Sequence, residues 1–341
     1  MTSSPASTTV RTGGPAELPQ PRGELSAAVI DAMRRPPGSV EPEWPTVVGA
    51  DPFGDDLHLA LYLSYELHYR GMRGVDAGWE WNPGLLRLRA SLEQVFLEEL
   101  RTGAAGGDDV TGELDALLVE PSGGAGTSRR LAERGEWWQM REYFVHRSVY
   151  HLKEADPHAW VIPRLHGRAK AALVAVEYDE FGAGRAERVH ARLFADLLTG
   201  AGLDAGYLHY LDDVPAPALA IVNMMSLFGL HHGLRGALVG HFAVVETTSA
   251  PASRSMVRAL ERMDAHPACV HFYSEHVEAD AVHEQVMRRD VVGGLLEDEP
   301  ELAADVVLGI QATDLLEGRL TGHLDRSWDE GVTSLRRPVA R

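Results

Sequence analysis

His276, Asp280 and His283 are the residues whose types and spacing point most directly to chemistry. They lie in C-V-H-F-Y-S-E-H-V-E-A-D-A-V-H-E-Q, residues 269–285, a stretch that reads as helix. At about 100° per residue, separations of four and then three put all three side chains within roughly a 60° arc, so they can close on one ion. Two imidazoles and a carboxylate suit Fe, Mn, Co or Zn better than Mg or Ca. Glu275, Glu278 and Glu284 fall on other faces of the same helix. A three-residue face leaves an ion incompletely held, which directs attention to acids and imidazoles on neighbouring helices.

Glu246 ends the apolar run G-A-L-V-G-H-F-A-V-V-E just before T-T-S-A-P, and an isolated acid at the end of a buried helix is costly unless paired or metal-bound. Glu180 closes A-L-V-A-V-E-Y-D-E, after which F-G-A-G breaks the chain and a new helix brings in His190. Glu187 and His190 form a Glu-x-x-His pair, a spacing that diiron carboxylate bundles use, so Glu187 competes with Glu180; the glycine hairpin favours Glu180. His151, Glu154 and His158 sit together in V-Y-H-L-K-E-A-D-P-H, but Pro157 suits the first turn of a helix capped by Asp156, which gives the trio a structural role. His231, His232 and His241 read as core or pocket residues. In Y-E-L-H-Y-R, residues 65–70, Glu66 and His68 are two apart on a helix and do not share a face, so packing or an interface is the expectation.

The elements that must position these residues are helical. Residues 1–50 are dense in Pro, Ser, Thr and Gly and read as a disordered tail with one short helix near 25–35. Residues 51–125 form an N-terminal helical extension, a hairpin of 55–70 and 84–101 followed by a short apolar helix at 114–119 within glycine-rich connectors. From residue 130 the pattern predicts helices over 136–154, 158–180, 185–199, 217–231, 235–246, 253–263, 269–285 and 301–324, separated by Pro and Gly signals. No alternating strand pattern and no glycine fingerprint after a strand is present, so an all-α bundle is expected and dinucleotide binding is not.

Taken in chain order, Glu180, His190, Glu246, His276, Asp280 and His283 are separated by 10, 56, 30, 4 and 3 residues. This order, together with E-H-V-E-A-D-A-V-H-E-Q, Y-D-E-F-G-A-G, G-A-L-V-G-H and K-E-A-D-P-H-A-W, resembles the haem-oxygenase-like diiron oxidases and oxygenases, the bacterial iron-containing redox enzymes. The resemblance covers roughly residues 130–337. It implies a haem-oxygenase-like helical bundle, the six residues above as metal ligands, two Fe(II) ions (or Mn) as cofactor, and O2 as co-substrate. It also implies oxidation of a small organic amine or carboxylate, by N-oxygenation or oxidative C–C cleavage. Glu246, central in the chain order, is the expected bridge between the ions. Arg235, Tyr178, His241 and Trp160 are the candidates for substrate contacts.

Composition narrows the alternatives. With 50 acidic against 32 basic residues and a net charge of -18, nucleic acid is not an expected partner. No apolar run approaches the roughly 20 residues of a membrane span, and no basic-then-apolar leader pattern is present. The single Cys269 excludes an intramolecular disulfide framework and cysteine-based zinc or iron–sulfur sites, and fits a reducing, cytoplasmic setting. A small-molecule substrate is the expected partner, with a homodimer left open. The alternative function is a non-catalytic iron-binding or partner-binding helical protein. A thiaminase-like hydrolase would need a nucleophilic cysteine, and Cys269 has no activating neighbour in sequence.

Overall fold

The computed structural model describes residues 14–39, 42–118 and 126–339, with the backbone alone for 278–282. Among these residues there is no β-strand. The helices run α1 (Glu24–Met33), α2 (Asp55–Glu66), α3 (Pro83–Gly103), α4 (Val110–Leu118), α5 (Thr127–Arg134), α6 (Trp137–His151), α7 (Asp156–Ala159) and α8 (Gly167–Glu180). They continue as α9 (His190–Gly200), α10 (Ala216–Leu230), α11 (Arg235–Arg262), α12 (Pro267–Val286), α13 (Gly293–Asp298) and α14 (Ala303–Asp329). The all-α haem-oxygenase-like bundle expected from the sequence is the fold observed. No helix of the described residues is long and apolar enough to cross a membrane.

Local chemistry sets the boundaries. Asn82 accepts from the backbone N–H groups of Gly84 and Leu85, with Pro83 pre-set for the first turn of α3. Glu136 and Gln139 close a capping box on α6. The bundle is framed by α11, packed along both α12 and α14. Backbones meet closely there: a Cβ on Gly240 would lie 2.1 Å from the Val306 carbonyl oxygen, and one on Gly309 2.0 Å from that of Ala237. Only glycine permits that approach.

Three expectations are corrected. Residues 235–246 and 253–263 form one 28-residue helix, α11, with Pro251 inside it. T-S-A-P is not a break, because burial of α11 against its neighbours outweighs the one backbone hydrogen bond a proline removes. The helix read over 158–180 divides into α7, a 3-10 turn at Ile162–Arg164 and α8, since Pro157 and Pro163 each start a helical turn. Third, the N-terminal segment is built into the bundle from Gly14 onward. Leu25, Val29, Ile30 and Met33 of α1 are buried, and nearly every side chain of α2 is buried against α1 and α10. Among the described residues, buried apolar side chains from Leu25 to Leu335 share one core. Residues 1–13, 40 and 41 of the expected tail, and residue 119 of the helix read over 114–119, lie outside the described residues.

Two buried imidazoles tie this core together. Asn223 on α10 donates to the His58 carbonyl and faces its ring, and His146 meets the Ser334 hydroxyl at 2.9 Å. Burial lowers the pKa of each to about 3. An unfolded imidazole titrates near about 6.5. Since the folded state refuses the proton, this stability is complete above about pH 6.5 and is lost as pH falls from there toward about 3, by about 1.4 kcal/mol per pH unit for each histidine. Urea unfolding at stepped pH values should show that decline, and the His58→Gln/His146→Gln double variant should flatten it; an unchanged slope would refute the assignment.

Candidate metal centre

Helix ends and two helix interiors converge on one buried spot. Glu154 sits in the turn after α6, Glu180 is the last residue of α8, and His190 is the first of α9. Glu246 projects from the middle of α11, and His276 and His283 from α12. All six are at most 8% exposed. Ligand atoms of Glu154, Glu180, His190 and His276 lie within 4.8 Å of one another, as do those of Glu180, Glu246 and His283. Glu180 belongs to both groups. The side chain of Asp280, on α12 between the two histidines, lies outside the described residues.

The turn between α8 and α9 explains the pairing of residues ten apart. Gly182, Ala183 and Gly184 all have positive φ, and a Cβ on Gly182 would meet the Arg188–Val189 backbone at 2.7 Å. The tight reversal leaves His190 Nδ1 2.8 Å from Glu180 Oε2. His276 Nδ1–H donates to the Phe272 carbonyl at 2.8 Å, which fixes the tautomer and turns the Nε2 lone pair to the cluster, 3.5 Å from Glu154 Oε1. His283 lies 3.1 Å from both Glu246 and Asp179.

Electrostatics follow from the crowding of acids. Burial alone would raise the pKa of Glu154, yet His151, 2.8 Å away, and His276 hold it well below the usual carboxylate range. Burial disfavours charge on His283, but Glu246, Asp179 and Glu180 raise it to about 9. Burial likewise opposes a proton on His190, and Glu180 raises its pKa. A further acid, Glu177, lies one turn before Glu180 with neither carboxylate oxygen hydrogen-bonded. Burial and the charges of Glu180, Glu246 and Asp156 push its pKa well above the ordinary value, keeping it uncharged.

A cavity of about 330 Å³ opens onto Glu154, Glu180, Glu246 and His276. Met225, Phe242, Val244 and Phe272 supply apolar wall, and Tyr143, Tyr150 and Tyr273 supply hydroxyls. The Arg147 guanidinium grips both Glu317 oxygens at 2.8 and 2.7 Å within the same wall.

Of the expected substrate contacts, His241 lines this cavity. The other three lie elsewhere. Arg235 is ion-paired with Glu299, Tyr178 is 56% exposed with its hydroxyl on the Ala183 carbonyl, and Trp160 packs on Tyr69. Glu187 is exposed on the 3-10 turn Ala186–Arg188, outside the cluster that Glu180 joins. Glu154 corrects the structural role read for its motif, because Ala155 adopts φ 72° and the turn directs Glu154 inward, whereas the sequence showed only a proline and its cap. Glu177 and Arg147 were missed as well; the inward spacing of Glu177 and Glu180 on one helix face was the available signal for the former. Among the described residues, Glu180 is common to the two groups and Glu246 belongs to one of them. Cys269 is buried, and burial pushes its thiol up to about 11, so it is not a nucleophile at neutral pH.

Fold and centre together define a class: a helical bundle with a buried carboxylate–imidazole cluster whose mixed N/O donors suit iron. Residues 141–318 match the family described as iron-containing redox enzymes, and the chain belongs to it. It is by that membership an iron-dependent oxidoreductase. No curated protein matches the chain.

The cluster predicts a ranking of variants. After anaerobic loading with Fe(II), Glu180→Ala should lose more iron than Glu154→Ala or Glu246→Ala, and Glu187→Ala should lose none. Full loading of Glu180→Ala, measured by iron quantitation, would move the shared position elsewhere.

Proposed function

We propose that the chain uses O2 to oxidise a small organic amine or carboxylate at a centre of two Fe(II) ions. The observation that carries this reading is the membership of Glu180 in two ligand groups at once, since a carboxylate has two oxygens and can lie between two cations. In this reading Glu154, Glu180, His190 and His276 would hold one ion. Glu180, Glu246 and His283 would hold the second. The same donors accommodate Mn. When bound, the ion pair supplies the reducing equivalents that O2 activation requires and the positive charge that offsets the buried acids.

The chain's own groups prepare the surroundings. Phe242, Val244, Met225 and Phe272 exclude water from the side of the cluster that faces the cavity. Burial holds Tyr150 and Tyr273 as neutral phenols well above their ordinary pKa, so each presents a hydroxyl and no charge. His241 is kept neutral, its pKa lowered to about 4 by burial. The Thr313 hydroxyl donates to the Gly309 carbonyl and so receives the His241 Nδ1–H, which leaves Nε2 as the acceptor. Glu177, uncharged beside Glu180 and Glu246, is a carboxylic acid able to hold a proton close to the reacting atoms. A cavity of about 330 Å³ with apolar walls and few polar groups suits a small organic molecule. Its direct opening onto the cluster favours turnover over the non-catalytic iron-binding alternative.

Anaerobic Fe(II) titration followed by an oxygen-electrode trace tests the proposal. The expected result is two ions per chain and rapid, stoichiometric O2 uptake, accelerated by an amine or carboxylate that fits the cavity. One ion per chain, or two ions inert to O2, would sink it.

A further inference from the structure

The motif Y-E-L-H-Y-R, residues 65–70, lies in the N-terminal segment outside the matched residues 141–318, yet it reaches the turn that presents Glu154. Glu66, at the end of α2, is fully buried and forms an ion pair of 2.7 Å with Lys153, the residue immediately before Glu154. A fully buried lysine is rare without such a partner. The Lys153 ammonium lies over the Tyr62 ring at 4.5 Å and the Tyr69 ring at 4.2 Å, both from the same N-terminal segment. The other Glu66 oxygen accepts from the Tyr207 hydroxyl at 2.7 Å. Arg70 stacks on Tyr207 and donates to the Leu152 carbonyl at 2.9 Å, so the end of α6 is clamped on two sides.

The clamp meets a strained piece of chain. Ala155 holds φ 72°, a left-handed conformation that a residue with a side chain adopts only when its surroundings impose it. Lys153 on one side and the turn into α7 on the other impose it here, with Asp156 N–H donating to the Lys153 carbonyl at 3.2 Å. Relaxing the turn would swing Glu154 away from Glu180, His190 and His276.

We infer that Glu66 and Lys153 are positioning residues for the metal centre: the N-terminal segment holds Glu154 in place and thereby sets the affinity of the ion bound by Glu154, Glu180, His190 and His276. This rests on the two-ion reading above. It assigns the N-terminal helices a part in the active site in place of a partner-docking role.

Co(II), which is not oxidised by adventitious O2, serves as the probe, titrated into the full-length protein under anaerobic conditions with its visible absorption and equilibrium dialysis as readouts. Wild-type protein should bind two ions; failure at that step counts against the two-ion reading and not against this inference alone. The Glu66→Gln/Lys153→Met double variant removes both charges, keeps an acceptor for Tyr207 and preserves side-chain length. It should weaken one ion by about 10- to 100-fold, the usual effect of losing a group that orients a ligand, and leave the other unchanged. Glu93→Gln is the control, because Glu93 joins Tyr65, Arg89 and His231 in another buried network of the same segment. It should lower thermal stability and keep wild-type binding of both ions. Tyr207→Phe deletes one hydrogen bond to Glu66 and should weaken the same ion severalfold, so the test stands even if the double variant does not fold. Unchanged Co(II) binding in Tyr207→Phe, or in the folded double variant, or equal weakening by Glu93→Gln, would overturn the inference.

Discussion

Like charges without water are the constraint on which this structure turns. Glu154, Glu180 and Glu246 are buried within reach of one another or of a shared partner, with Glu177 one turn away. In a low-dielectric interior such acids repel strongly, and each must be neutralised, paired or set against a cation. Protonation of Glu177 and of the neighbouring imidazoles balances the chain on its own. A metal ion offers a second solution at the same place, because an imidazole that gives its lone pair to an ion surrenders the proton it held for the carboxylates. Charge is exchanged for charge, and the geometry serves both states.

Two kinds of support hold the acids in place. Glu246, His276 and His283 project from the interiors of α11 and α12, where backbone hydrogen bonds and flanking apolar side chains fix direction. The close contact of α11 with α14 through Gly240 and Gly309 makes that half stiff, and it sets His241 against Thr313 across the cavity wall. Glu154, Glu180 and His190 instead sit at helix ends, where direction depends on turns and on tethers from elsewhere.

This division also explains what could be read from the sequence. His276 and His283 were legible because helical periodicity alone puts them on one arc, and Glu246 because an acid ending an apolar run is conspicuous. The pairing of Glu180 with His190 was legible through its glycines. Glu154 was not, since its direction comes from an alanine in a left-handed turn, a conformation alanine does not advertise. The role of Glu66 was hidden for a similar reason: its partner is 87 residues away, and no local pattern records a buried ion pair. Pro251 misled in the opposite sense, because its local preference to end a helix is overridden by packing around α11 that only the tertiary structure supplies.

The helix ends contribute more than position. α8 terminates at Glu180 and α6 just before Glu154, so the negative ends of two helix dipoles face the cluster. Such an end favours a cation by about 0.3–1 kcal/mol and disfavours further carboxylate charge, which biases the site toward holding metal. His190 occupies the first turn of α9, where the positive end of the dipole opposes a proton on the ring. Glu180 pulls the other way and wins in the chain alone, raising the pKa of His190. Once a cation takes up the charge of Glu180, that pull is spent, and the dipole of α9 then favours the neutral imidazole that a ligand must be. The same three helix ends therefore disfavour the metal-free arrangement and favour the metal-bound one, which makes the placement of the turns, and the tethers that fix them, part of the chemistry of the site.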